Sequence, residues 1–86
     1  MKQIDFKNIT SEQGMFIIPG KLTIPLNSIT GTGWHRCVPS FREEKLKEVY
    51  IFWIDVEDGN GRLTFELDSQ ESCEYTVRLV TKLMLG

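Results

Sequence analysis

"VYIFWIDVEDGNGRLTFEL", residues 49 to 67, decides the fold of this chain. Its first eight residues are nearly all β-branched or aromatic, the composition of a strand. "RLTFEL" then alternates Leu63, Phe65 and Leu67 against Arg62, Thr64 and Glu66, as a strand with one wet face does. Between them "DGNG" (58–61) supplies glycines and an asparagine for the positive φ angles of a hairpin loop. The stretch predicts an antiparallel hairpin.

Its first strand is apolar on both sides. Tyr50, Phe52, Ile54 and Val56 line one face, and Val49, Ile51 and Trp53 line the other. One face can lie against a helix. The other then calls for a second sheet layer, the inside of a small barrel, or a partner chain.

A helix follows directly. Asp68 or Ser69 can cap it, with Glu71 three residues after Asp68 in the manner of a capping box. "SCEYTVRLVTKLML" sets Cys73, Thr76, Val77, Val80, Leu83 and Met84 on one stripe at spacings of three and four. Glu74 and Arg78 stand four apart in the favourable acidic-first order, and Lys82 lies near the C-terminal end, where the helix dipole favours a cation. Cys73 reads as a small buried apolar residue rather than a nucleophile.

Upstream the pattern is again that of strands. "QIDFKNI" alternates around Ile4 and Phe6, "GMFII" is a short apolar run, and Pro19–Gly20 makes a turn before "KLTIPL". Pro25 cannot donate to a ladder, so its strand lies at an edge or ends there. Residues 37 to 48, "CVPSFREEKLKE", read as a charged loop with at most one helical turn. The sum is one α+β domain over residues 1–86: an antiparallel β-sheet or partly open small barrel of about six strands, closed by one C-terminal amphipathic helix.

Composition narrows the function classes. Hydrophobic residues at 41% and charged residues at 26% are globular values. Ten basic against twelve acidic residues leave a net charge of −2, without the broad positive field that non-specific nucleic-acid binding requires. No signal peptide or membrane span is apparent, so the expected setting is the cytoplasm, with Cys37 and Cys73 both kept as thiols.

"LTIPLNSITG", the later hairpin, and the helix that closes "FELDSQESCEYTVRLVTKLM" resemble, in the order of their elements over residues 15 to 85, the small bacterial pleckstrin-homology-like domains. That family usually has seven strands against six here. The resemblance implies a binding module for lipid headgroups, peptides or proteins. It carries over no ligand residues: where a phosphoinositide site would have a basic cluster, Lys21 stands alone beside Pro19–Gly20.

"ITGTGWHRC" (29–37) gathers the only histidine with one cysteine and one tryptophan behind two glycines. His35 and Cys37 share a strand face, but roughly 7 Å separates their positions along it, too far for a nucleophile and its base without a bend. Gly31 and Gly33 point to a bulge. One histidine and two distant cysteines do not make a zinc site, and "GTG" lacks the further glycines and the lysine of a phosphate loop. No catalytic residue, metal or cofactor is therefore assigned. Trp34 falls with Arg36 opposite His35, either as an interface anchor or folded into the core rim.

The leading expectation is a non-catalytic protein-interaction module, and not an enzyme. It would bind a protein partner or itself, as a homodimer or higher oligomer, through Trp34, Arg36, Val49, Ile51 and Trp53. Its small size suits an inhibitor or assembly protein of phage or mobile-element origin. The alternative, which the resemblance implies, is a domain that binds a small molecule or a lipid headgroup.

Overall fold

A computed structural model describes residues 4–37, 48–57 and 61–86. The charged stretch 38–47 and the tip of the hairpin loop, residues 58–60, lie outside the described residues. Six strands precede one helix: β1 (Thr10–Glu12), β2 (Met15–Ile18), β3 (Leu22–Pro25), β4 (Ile29–Cys37), β5 (Val49–Val56), β6 (Gly61–Leu67) and α1 (Gln70–Leu85). They form two antiparallel three-stranded sheets, β1-β2-β3 and β4-β5-β6. The chain is thus α+β and antiparallel with a C-terminal helix, but the strands do not close into one barrel.

The expected hairpin is β5–β6, in register from Tyr50 opposite Leu67 to Val56 opposite Gly61. β4 joins β5 on its other edge, from Ile29 opposite Val56 to Cys37 opposite Val49, with a bulge between Ile29 and Gly31. These registers stack Trp34, Phe52 and Phe65 in one cross-strand row on the inner face, the two phenylalanine rings 5.9 Å apart and stacked.

The helix is capped by Ser69, one of the two expected residues, which puts Ser72 rather than Glu71 at its third position, so the expected Asp68–Glu71 capping box does not form. Ser69 accepts a hydrogen bond from the Ser72 N–H at 3.1 Å, and Asp68 accepts one from the Ser72 hydroxyl. The apolar stripe faces the second sheet: Cys73, Thr76 and Val80 are wholly buried. The Thr76 hydroxyl is satisfied by donating to the Ser72 carbonyl at 2.7 Å. Glu74 accepts from Gln70 at 3.1 Å, and among the described residues it forms no ion pair with Arg78.

The first sheet closes the remaining side of the core with Phe16 and Ile18. β1 and β2 meet in a two-residue turn whose central residues, Gln13 and Gly14, both have positive φ (53° and 79°), the primed geometry that matches strand twist. Pro19–Gly20 turns β2 into β3, and Pro25 ends β3 at the sheet edge.

The first expected strand is a correction. Residues Phe6–Asn8 are a 3-10 turn, and the strand begins only at Thr10. Asp5 accepts hydrogen bonds from both the backbone (3.1 Å) and the side chain (2.7 Å) of Asn8, a local closure that outcompetes a ladder. Ile4 and Ile9 still reach the core.

Candidate functional site

The five residues singled out from sequence do not share a surface. Trp34 pairs with Phe52 and packs against the core on the inner face. Arg36 lies on the same face at its open end, opposite Tyr50. There Glu48 takes both an ion pair from Arg36 at 3.6 Å and a hydrogen bond from the Tyr50 hydroxyl at 2.8 Å. Donating to that carboxylate pushes the Tyr50 phenol above its ordinary range.

Val49, Ile51 and Trp53 point the other way. All three are half-buried, and none belongs to the core. They run down the middle strand of a face whose β4 row is Gly31, Gly33, His35 and Cys37 and whose β6 row is Arg62, Thr64 and Glu66. Gly33 leaves a gap in the β4 row that Trp53 fills, while the space beside Gly31 faces the Asp55 carboxylate. A Cβ on Gly33 would lie 2.4 Å from Cζ2 of the indole, so Trp53 rests flat against the Gly33 backbone.

Arg62 covers the opposite side of the ring, its guanidinium carbon 3.7 Å from the ring centroid. Asp55 fixes that guanidinium with two hydrogen bonds, 2.8 Å to Nε and 3.2 Å to Nη2. The pairing holds the Asp55 carboxyl below its ordinary value and raises Arg62. Arg62 and Asp55 were missed from sequence, although they stand opposite each other in the hairpin register and are of opposite sign.

The chemistry-bearing residues of 29–37 remain apart. His35 and Cys37 are both exposed on the outer face, and no hydrogen bond joins them. Cys73 is fully buried, and desolvation pushes its thiol up to about 11. Among the described residues no cluster of three histidine, cysteine or acidic side chains is placed to hold a metal, and no helix is long and apolar enough to cross a membrane. No family model, curated protein or solved structure matches the chain.

Proposed function

We propose that this chain is a non-catalytic protein-interaction module that associates through the outer face of the sheet β4-β5-β6, first of all with a second copy of itself. One observation carries the reading: Val49, Ile51 and Trp53 line the centre of that face without belonging to the core, whereas the helix and the first sheet enclose the inner face. Three strands of about seven residues present roughly 330 Å² in projection. A standard interface buries about 800 Å² on each partner, so this face by itself supports a weak, reversible dimer. Trp53 is held ready in one orientation by Gly33 and Arg62, which lowers the ordering cost of using it as an anchor.

Ile51, at the centre of the row, is the residue to change. Sedimentation velocity from tens of micromolar to about 1 mM should show a concentration-dependent rise in the wild type. Ile51→Lys should remain a folded monomer over the same range. A wild type that stays monomeric throughout removes self-association, and undiminished association of Ile51→Lys moves the interface off this face.

A further inference from the structure

The exposed side of α1 carries a second surface of different chemistry. Tyr75 and Leu85, 43% and 84% exposed, are the large hydrophobic residues left most open among the described residues, and both belong to this helix. Tyr75, Arg78 and Lys82 recur at spacings of three and four on the side away from Cys73, Thr76 and Val80. With Leu79 they line an open hollow of about 360 Å³. Phe6 packs edge-on against Tyr75 at 5.9 Å, and the Lys7 ammonium lies 6.0 Å from the Phe6 ring, adding a third cation beside it.

None of Lys7, Arg78 and Lys82 is engaged in an ion pair with a described residue. Glu71, the acidic group on the same stripe, stands at the N-terminal end, and Glu74 is turned to Gln70. The helix exterior therefore grades from acidic at its start to basic and apolar over its last ten residues, roughly 15 Å of length. Asp5 stands two residues before Lys7, so the excess of cations is set by Arg78 and Lys82, the charged side chains of those last ten residues, and on a chain of net charge −2 it orients the molecule in a negative field.

We propose that this surface docks reversibly on an anionic lipid bilayer, with Leu85 and Tyr75 entering the interface while Lys7, Arg78 and Lys82 face the headgroups. Charge complementarity selects an anionic partner. The exposed leucine and tyrosine flanking the cations select a lipid surface over an acidic protein, since they offer apolar area that a bilayer interface takes up. This inference does not depend on the role given to the outer sheet face.

The test is co-sedimentation of the full chain with vesicles of phosphatidylcholine alone and with about one-third phosphatidylserine, at low and at about 0.5 M salt. Binding should require phosphatidylserine and disappear at high salt. Each cation removed should weaken binding about fivefold, so Arg78→Gln/Lys82→Gln should lose about 25-fold. Leu85→Ser should weaken it severalfold with all charges kept, and both variants should retain the wild-type circular dichroism spectrum. Absence of binding to phosphatidylserine vesicles overturns the proposal, as does binding equal in wild type and both variants. Binding to poly-glutamate without binding to vesicles also overturns it and assigns the patch to an acidic protein.

Discussion

The two faces of β5 carry similar side chains and have opposite fates. Phe52 and Ile54 on the inner face are wholly buried, enclosed by α1 and the first sheet. Ile51 and Trp53, each one position away, are only half-buried and lie outside the core. The difference lies in the neighbours rather than in hydrophobicity. The inner row meets Trp34, Phe65 and Leu67, while the outer row meets two glycines, His35, Thr64 and Glu66. Apolar character on a strand shows that a face is to be covered, and the cross-strand neighbours show whether the chain itself can cover it.

The largest expected effect is truncation on the inner face. Phe52→Ala should cost about 3–5 kcal/mol, a large share of the stability of so small a domain. Ile51→Ala, which trims the outer row, should cost only about 1 kcal/mol in the monomer. Urea denaturation at low concentration compares them. Equal losses would mean that the outer face is covered as well as the inner one.

An intermediate effect is expected at Gly33. A methyl group there meets the Trp53 indole, so Gly33→Ala should destabilise by about 1–3 kcal/mol and shift the tryptophan fluorescence. With Trp53 already replaced by alanine, the same substitution should cost little. Additive losses in this double-mutant cycle would show that Trp53 does not lie against Gly33.

The smallest effect is conditional on pH. Because the buried Cys73 thiol titrates at about 11, against 9.0 for a free one, unfolding is favoured once the unfolded thiol ionises. The stability contribution is fully present below pH 9 and is lost as pH rises through about 11, in total up to about 3 kcal/mol. Cys73→Ala should flatten this part of the profile. An unchanged alkaline decline in that variant would place the titrating group elsewhere.

Sequence reading recovers the elements that rest on period and punctuation. The hairpin was legible because alternation in 61–67 and the β-rich run in 49–56 flank a glycine-rich turn, and the helix because its stripe and its Ser69 cap agree. Phe6–Asn8 was not legible, because Ile4 and Phe6 alternate like strand residues while the Asp5–Asn8 hydrogen bonds that fix the turn leave no periodic trace. Separation of the six strands into two sheets was also hidden: β3 pairs only with β2 across their local turn, while β4, three residues further on, pairs instead with the distant β5, a long-range choice. The candidate site was half legible. Alternation placed Val49, Ile51 and Trp53 together and set Trp34 with Arg36, but relating the two strands needed their register, which puts Trp34 opposite Phe52 and so on the core side. The Trp53 slot needs three strands at once, Gly33, Trp53 and Arg62, and no local pattern announces it.

The chain carries one tryptophan on each face of the second sheet, Trp34 inside and Trp53 outside. Their two indole N–H resonances therefore report separately on the core and on the face proposed to associate. Proton–nitrogen correlation spectra recorded from tens of micromolar to about 1 mM should show the Trp53 indole signal moving with concentration while that of Trp34 stays in place. Two stationary signals across that range, or movement of Trp34 alone, would contradict the assignment of the outer face as the interaction surface.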